Sequence, residues 1–357
     1  MASDPAVEAE PETVENAEVL AAVRAGDPAA FARLSERYRH QLRVHCYRML
    51  GSFAEAEDMV QETLLRAWRG RDSFEGRSLF RSWLYRIATN VCLNVIERGP
   101  RRVLPQDVAE PVTDATPASE ARSRPTLAPE VPWLEPYPDH LLDAAASGGE
   151  APDERLMARE TIELAFLAAL QHLPARQRAL VILSDVMGWS AKELAELLEL
   201  TLSSVNSALQ RAHATLREKL PAERQDVRPR APESDAERAV LKSFMDAWET
   251  GDATLLTAML REDARWSMPP APLWFAGRRA IENLLGLFPP NWQGRAFKMV
   301  ATGANRQPAA AAYLRAPGES VFRFSGVHIL RVENGTLAEI TTFGPALCLA
   351  FELPATL

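Results

Sequence analysis

Residues Ala56 to Gly70, AEDMVQETLLRAWRG, form the stretch that decides the fold of the first hundred residues, because they read as one amphipathic helix. Apolar and small side chains recur at intervals of three and four, which is the spacing of a buried helical stripe. The opposite side carries Asp58, Gln61 and Glu62. Most other charges nearby are positive, so the pattern predicts a helix that packs on one side and presents an acidic face to a partner on the other.

Charge is segregated along the 357-residue chain, whose net charge is −8. Residues 24–102 contain fifteen arginines, no lysine and nine acidic residues, whereas residues 103–153 contain two arginines, ten acidic residues and nine prolines. A basic block suits nucleic acid, and a proline-rich acidic segment is typical of an extended linker without a packed core. The expected divisions are a disordered acidic N-terminus at 1–16, a helical domain at 17–102, a linker at 103–153, a second helical domain at 154–220, a polar hinge at 221–233 and a third domain at 234–357.

Composition also excludes classes of protein. No apolar run approaches the roughly 18 to 20 residues that a membrane span needs, and the first eighteen residues hold six acids and no base, unlike a secretory signal. The three cysteines, Cys46, Cys92 and Cys348, are scattered without a CxxC pair. We therefore expect a cytoplasmic protein that has no membrane association, no bound metal and no cofactor.

The segment from Ser78 to Arg102 predicts another helix, which carries a polar ridge. Two arginines and two asparagines follow one another at four-residue intervals, so they share one face of the helix. Cations and amides together suit phosphates and base edges, although a solvated helix face is the alternative. The helix ends in the turn GPRR, whose arginines would flank a nucleic-acid strand. The ridge and turn residues are Arg86, Asn90, Asn94, Arg98, Arg101 and Arg102.

Residues 173–220 predict a helix-turn-helix, with a break at Gly188 and a short turn through Leu200 and Thr201. The turn lacks the glycine that is common in this motif. Polar side chains of the last helix occupy the side opposite its buried stripe, where they would contact base edges and phosphates; the alternative is a plain helical bundle with a solvated edge. The predicted contact residues are Ser203, Ser204, Asn206, Gln210, Arg211 and Arg217.

Three stretches, AEDMVQETLLRAW, FRSWLYRIATNVCLNVI and LPARQRALVILSDVMGWSAKELAELLELTLSSVNSALQRA, together resemble the two conserved regions of extracytoplasmic-function sigma factors, small members of the sigma-70 family. The resemblance covers residues 17–220. It implies that the ridge and turn melt and read the minus-10 promoter element, and that the helix-turn-helix reads the minus-35 element as a duplex. It also implies that an acidic face binds core RNA polymerase, where it rejects DNA. This face comprises Asp58, Gln61, Glu62 and Leu65.

The linker contains the stretch VPWLEPYPDHLLD, in which Trp133, Leu134 and Tyr137 interrupt an acidic, proline-rich run. Two aromatic side chains and a leucine within five residues are unfavourable in water, so we interpret them as a docking motif rather than as part of an inert tether. The family resemblance implies that this linker threads the active cleft and RNA exit channel of the polymerase, where an acidic chain would mimic nucleic acid.

The third domain reads as helices followed by alternating strands, with Asn334 and Gly335 as a tight hairpin turn. The order of elements, and the stretch WFAGRRAI, resemble the SnoaL-like cone fold that is shared with nuclear transport factor 2. Such cones enclose an apolar pocket. Candidate lining residues here are Trp248, Trp266, Met268, Trp274, Phe324 and His328.

The predicted fold class is therefore multidomain, with two all-α domains and a C-terminal α+β cone. The predicted function is a non-catalytic subunit that gives RNA polymerase promoter specificity, with a cone that regulates it through contacts within the chain or through a small-molecule ligand. One alternative is a bifunctional protein whose cone is an isomerase or hydrolase, but the spacing of Asp246, Asp263, Tyr313 and His328 singles out no catalytic set. The other, a free-standing helix-turn-helix regulator, leaves the acidic helix unexplained.

Overall fold

The computed structural model describes residues 20–23, 25–74, 80–117, 120, 123–125, 127–146, 162–220, 235–287 and 294–357. The N-terminus at 1–16 and the hinge at 221–233, which the sequence predicts to be disordered and polar respectively, lie outside the described residues. Four parts follow one another along the chain: the first module at 20–102, the linker at 103–146, the second module at 162–220 and the cone at 235–357.

The first module consists of three helices, α1 (Pro28–Leu50), α2 (Phe53–Arg69) and α3 (Phe80–Ile96), with a 3-10 turn at Arg71–Ser73. α1 is capped at both ends. The side chain of Asp27 accepts a hydrogen bond from the amide of Ala29 at 2.8 Å, and Gly51 closes the helix at a φ of 72°, a left-handed conformation that glycine adopts without strain. α3 ends at Ile96, before the predicted end at residue 102, because Gly99 and Pro100 disfavour helix there.

The linker is folded, which differs from the extended tether expected from its composition. It contains a 3-10 turn at Pro105–Asp107 and the helix α4 (Asp139–Ala146), and it makes isolated β-bridges with itself and with the cone. Several of its apolar side chains are buried against the other parts. This segment packs against surface that the neighbouring modules supply, so it is ordered without a core of its own, which its composition alone did not indicate.

The second module contains α5 (Leu164–Gln171), α6 (Ala175–Val181), a π turn at Ile182–Val186, α7 (Ala191–Leu198) and α8 (Leu202–Lys219). Gly188, at a φ of 71°, makes the predicted break before α7. α7 and α8 form the predicted helix-turn-helix. The turn succeeds without glycine because Glu199 itself adopts the left-handed conformation, with φ at 55° and ψ at 45°.

The cone consists of α9 (Asp235–Thr250), α10 (Ala253–Ala258), α11 (Arg278–Gly286) and a six-stranded sheet. The strand order is β2-β1-β6-β5-β4-β3, and every neighbouring pair is antiparallel except β1 with β6, which is parallel. The strands are β1 (Leu260–Ser267), β2 (Trp274–Ala276), β3 (Ala296–Ala304), β4 (Gln307–Arg315), β5 (Arg323–Glu333) and β6 (Thr336–Phe343).

Both faces of this sheet are buried, but against different parts of the chain. Ala310 and Ala312 of β4 join the cone's own core, which includes Phe244 and Trp248 of α9. The alternate residues of β4, with Val327 of β5, belong instead to one hydrophobic cluster that continues through the linker and both helical modules. A single core therefore links the outer face of the cone to the rest of the protein.

Candidate polymerase and nucleic-acid interfaces

The acidic face of α2 points away from the protein. Ser52 caps the helix, its hydroxyl accepting from the amide of Glu55 at 3.2 Å, and a buried stripe that includes Val60 fixes which side faces the core. Four residues of this face are predicted to bind polymerase. Asp58 and Gln61 are exposed, Glu62 is half-buried and Leu65 is 50% exposed.

The predicted ridge of α3 is a continuous exposed edge of the first module. Arg86, Asn90, Asn94 and Arg98 are all exposed, which agrees with their four-residue spacing. Arg86, however, forms an ion pair with Glu199, the turn residue of the helix-turn-helix. The ridge is thus joined at one end to the second module.

The turn after α3 is occupied by contacts within the chain. Arg101 lies 2.5 Å from Nδ1 of His172 in the second module. Arg102 is half-buried, forms an ion pair with Glu55 of α2 at 2.5 Å and donates to the carbonyl of Trp133 at 3.2 Å. Their spacing in the sequence predicted that these two arginines lie next to the ridge. It did not predict that both contact other parts of the same chain.

α8, the last helix of the helix-turn-helix, is exposed along its predicted contact face. Ser203, Ser204, Asn206, Gln210, Arg211 and Arg217 are all exposed. The helix is held from behind by a buried stripe that includes Val205 and Leu216, and the side chain of His213 contacts Asp185 at 2.7 Å. Thr201 caps the first turn, its hydroxyl accepting from the amide of Ser204 at 3.1 Å.

The three linker residues predicted to dock are buried, and the linker joins several parts at once. Trp133, Leu134 and Tyr137 are at most 2% exposed. Nε1 of Trp133 donates to the carbonyl of Ala128 at 2.8 Å, and the hydroxyl of Tyr137 accepts from Nε of Arg43 in α1 at 2.9 Å. In the described arrangement this stretch therefore lies against the first module.

A hairpin tip of the cone, residues 304–307 between β3 and β4, reaches all three other parts. Asn305 is fully buried, and its amide nitrogen donates to the hydroxyl of Tyr47 in α1 and to the carbonyl of Ile162 at the start of the second module, both at 2.8 Å. Its side-chain oxygen accepts from the amide of Tyr137 at 2.9 Å. One side chain thus contacts the first module, the linker and the second module.

The next residues of the same tip strengthen the junction. Oε1 of Gln307 accepts from the amide of Leu164 at 3.0 Å, so the cone caps the N-terminus of α5, whose own N-cap residue makes no side-chain cap. The amide of Arg306 donates to Asp139 in α4 at 2.8 Å. Sequence reasoning missed this tip. The run PAAAAYL at 308–314 was the available signal, because a strand that is apolar on both faces must be covered twice.

The interior of the cone contains a buried histidine. Nε1 of Trp266 donates to the hydroxyl of Thr342 at 2.8 Å, and Nδ1 of His328 lies 2.8 Å from the same oxygen. The ring of His328 stacks on Trp248 with centroids 5.3 Å apart. Burial lowers the pKa of His328 to about 4, so the imidazole is neutral at pH 7.

Not all predicted pocket residues gather there. Met268 packs against the same core as Trp248 and Trp266, but Phe324 packs against the outer cluster beside Tyr313, with ring centroids 5.5 Å apart. Nε1 of Trp274 donates to the carbonyl of Ala109 in the linker at 2.8 Å. The predicted lining was wrong for Phe324. Strict alternation would place Phe324 on the same face as His328, four residues later, but a bulge in the pairing of β4 with β5, between Phe324 and Gly326, turns Phe324 to the outer face.

The structure also separates the catalytic candidates of the cone. Asp246 forms an exposed ion pair with Lys242 at 2.8 Å, and Asp263 forms one with Arg261 at 2.9 Å. Tyr313 belongs to the outer cluster, on the face of the sheet opposite His328. The four candidates therefore do not meet in one site.

The described parts of the chain also bear on membrane association and on metal binding. None of the helices there combines the length and apolar character that a bilayer span requires. Within those same residues, no group of three or more histidine, cysteine, aspartate or glutamate side chains is placed to hold a metal ion.

Comparison with known families matches three of these parts. Residues 34–102 match Sigma-70 region 2, residues 163–216 match Sigma-70, region 4, and residues 241–340 match the SnoaL-like domain. Each match falls inside one structural part, the first module, the second module and the cone in that order.

Individual proteins give the same result. The chain is 39% identical over 335 residues to the ECF RNA polymerase sigma factor SigG of Mycobacterium tuberculosis strain H37Rv, covering 94% of this chain and 86% of the relative. It is 28% identical over 214 residues to the ECF RNA polymerase sigma factor SigW of Bacillus subtilis strain 168, covering 56% of this chain and 92% of the relative.

Among solved structures, the chain resembles the extracytoplasmic function sigma factor SigJ of Mycobacterium tuberculosis, with a TM-score of 0.54 at 18% identity over 89% of this chain and 98% of that one. At this identity the likeness concerns the fold. The identity to SigG extends over nearly the whole chain, and the matched regions follow the observed order of modules. The chain therefore belongs to the extracytoplasmic-function RNA polymerase sigma factors of the sigma-70 family, in a form with a C-terminal SnoaL-like domain.

Proposed function

We propose that this sigma factor binds core RNA polymerase through the acidic face of α2, reads the minus-35 element with α8 and opens and reads the minus-10 element with the ridge of α3. Its work would take place in the cytoplasm, on the polymerase itself. The observation that carries this proposal is that the acidic face and the recognition face are both exposed in one chain of this family.

The docking role of α2 is supported by its chemistry. Asp58 and Gln61 are exposed, and Leu65 adds an apolar contact at the same face. Glu62 is paired with Arg66 at 2.6 Å, an i,i+4 pair that a basic partner can replace at little cost because exposed pairs contribute at most about 1 kcal/mol. A negative face within a basic module also disfavours DNA at that position.

The described arrangement is proposed to be a closed state that cannot read both promoter elements. Elements centred at minus-10 and minus-35 are about 25 base pairs apart, or about 85 Å of B-form duplex at 34–36 Å per turn. Arg86 on the minus-10 ridge nevertheless forms an ion pair with Glu199, next to the recognition helix. The two modules must therefore separate before both elements can be bound.

The cone is proposed to be the regulator that stabilises this closed state. Asn305 alone joins α1, the linker and the start of the second module through three hydrogen bonds of its buried side chain. The outer face of the sheet shares its core with both modules. Separation of the modules must break these contacts, so polymerase or DNA binding competes with the cone.

The cone is also proposed to have no catalytic role. Its candidate acids lie in exposed ion pairs, and Tyr313 and His328 lie on opposite faces of the sheet. General acid and base groups must lie within hydrogen-bond reach of one bound substrate. The contacts of the cone within the chain, rather than a reaction, are the basis of the proposed regulation.

The test is transcription in vitro with purified core polymerase and the full chain over a library of promoters. Asp58→Arg together with Glu62→Arg should abolish binding to core polymerase while the free energy of unfolding changes by about 0.5 kcal/mol or less, because the substituted positions are not buried. Glu36→Arg is the matched control, since Glu36 is an exposed acid of α1 on the same module. Unchanged affinity of the double variant for core polymerase would refute the docking surface.

A further inference from the structure

Leu202 is the first residue of the recognition helix α8, and it is 52% exposed. Its apolar neighbours behave differently, because Leu200 and Leu209 both pack against the hydrophobic core. A leucine at the exposed N-terminal end of this helix adds nothing to the helix-turn-helix fold that a polar residue would not supply. Its exposed side chain is therefore available for an apolar contact with a partner outside the described chain.

The position of Leu202 on the helix indicates what that partner is. Leu202, Asn206 and Gln210 follow at four-residue intervals, so they form one exposed ridge along the helix. In a helix-turn-helix the N-terminal residues of the recognition helix contact base edges in the major groove. Leu202 thus lies at the end of the helix that enters the groove, in line with two amide side chains suited to base edges.

The two serines that follow Leu202 make polar contacts, so Leu202 is the side chain at this end of the helix that can make an apolar contact. The hydroxyls of Ser203 and Ser204 lie 3.1 and 2.8 Å from the hydroxyl of Thr201, the capping residue. Both are therefore partly engaged in closing the first turn. The major groove presents one apolar group among its base edges, the C5-methyl group of thymine.

We infer that Leu202 is a specificity-determining residue that contacts the C5-methyl group of a thymine in the minus-35 element. This inference rests on the proposed reading of the minus-35 duplex by α8. Burial of the methyl group against the leucine side chain favours thymine over cytosine at that position, and no hydrogen bond is needed for the distinction. The amide side chains of Asn206 and Gln210 would contact the adjoining base pairs.

The experiment replaces each thymine of the selected minus-35 element, one at a time, by deoxyuridine, which removes the methyl group and leaves base pairing unchanged. Promoter binding and open-complex formation are measured with holoenzyme that contains the full chain, either wild type or Leu202→Ala. Ser207→Ala, an exposed position on the same helix, is the matched control.

For the wild type, one substitution should weaken binding about fourfold, the value expected for about 0.8 kcal/mol per buried carbon group. Leu202→Ala should weaken binding to the thymine promoter by a similar factor and should be insensitive to that deoxyuridine, whereas Ser207→Ala should keep the wild-type sensitivity. Folding of the Leu202 variant is checked by circular dichroism.

Three results would overturn the inference. The first is a wild type that is insensitive at every thymine, and the second is a Leu202→Ala variant that remains as sensitive as the wild type. The third is an equal loss for Leu202→Ala on every template, which would indicate a contact with polymerase rather than DNA. Absence of promoter-specific transcription by the wild-type holoenzyme would overturn the proposed function itself, and with it this inference.

Discussion

The two candidate DNA-reading surfaces of this sigma factor differ in how far the chain itself occupies them. On α8 all six predicted contact residues are exposed along one face. On the first module, Arg86 is paired with Glu199, Arg101 contacts His172, and Arg102 is half-buried between α2 and the linker. Three of the four arginines predicted to contact the minus-10 element thus interact with other parts of the chain.

This difference follows from what each surface is proposed to read. A duplex is recognised from outside by an exposed helix, and affinity can begin with phosphate contacts alone. A melted strand is bound only after the duplex opens, so a chain that occupies this surface in its unbound state limits binding to single strands elsewhere. We therefore expect the proposed closed state to restrain strand binding more than duplex binding, and the following predictions test that asymmetry.

The largest effect is expected from Asn305→Ala. The variant loses three buried hydrogen bonds and leaves their partners unsatisfied, so the closed state should lose about 2 to 4 kcal/mol relative to open arrangements. Small-angle X-ray scattering should report a larger radius of gyration. Binding of a minus-10 single strand should increase, whereas binding of a minus-35 duplex should change little.

The control for this substitution is Asn334→Ala. Asn334 occupies the hairpin between β5 and β6 at a φ of 51°, close to the 55° of Asn305, but it is exposed. Both substitutions carry the same backbone cost for alanine in the left-handed region, and only one removes the junction. If both variants, or neither, change the radius of gyration and strand binding, the junction at Asn305 does not hold the closed state.

The contrast between the two surfaces also shows which structural features could be predicted from the sequence. The faces of α2, α3 and α8 followed from helical periodicity, because exposure on an amphipathic helix depends mainly on local spacing. The burial of Trp133 and Tyr137 followed from the unfavourable exposure of aromatic side chains in a polar linker. These properties depend on the sequence of the segment itself and not on which part of the protein packs against it.

The junctions could not be predicted in the same way. Asn305 sits in the polar stretch GANRQP, which reads as an ordinary solvent-exposed hairpin turn, and its three partners come from residues more than one hundred positions away. The pairing of Arg86 with Glu199 likewise depends on how two modules pack. The turn at Glu199 was missed for a related reason, since residues other than glycine can adopt the left-handed conformation when their surroundings favour it.

A second prediction compares single contacts on the two surfaces. Gln210→Ala should weaken minus-35 binding by about 1 to 3 kcal/mol at one base pair, and Arg211→Ala should weaken it alike for all sequences. Asn90→Ala should reduce minus-10 selectivity and promoter opening. Binding is measured by an electrophoretic mobility shift of holoenzyme on single-base promoter variants, and opening is measured by permanganate reactivity of unpaired thymines. Normal promoter opening and an unaltered base preference with Asn90→Ala would indicate that the ridge of α3 is an ordinary solvated helix face.

A smaller effect is expected from Glu199→Gln, which removes the ion pair with Arg86. Both side chains are largely exposed, so the pair contributes at most about 1 kcal/mol to the closed state and less at high salt. Strand binding by the unbound chain should rise modestly at low salt and match the wild type at high salt. Glu218→Gln, an exposed glutamate near the end of α8, is the control. An effect of Glu199→Gln that persists at high salt would contradict an electrostatic contact.

The smallest effect at neutral pH is expected from His40, which lies where the first module meets the cone. Burial, together with Arg43, Arg306 and Arg48, lowers the pKa of His40 to about 4. Arg306 belongs to the cone, so separation of the cone should raise this pKa part of the way toward 6.5, while Arg43 and Arg48 of α1 remain beside His40. We therefore expect the closed state to bind fewer protons than the open one as the pH falls from 6.5 toward 4.

The sign of the pH dependence follows from proton linkage. Neutral His40 does not oppose the closed state above pH 6.5, and its protonation destabilises that state as the pH falls toward 4. Acidification should thus increase the radius of gyration of the wild-type chain, and His40→Gln, which stays neutral, should reduce that dependence. His45 and His328 have pKa values lowered by burial to about 3 and about 4, and they act on unfolding within their own domains. His140→Gln, at an exposed linker position, is the control. A pH profile of the radius that is the same for wild type and His40→Gln would remove His40 from the junction between the first module and the cone.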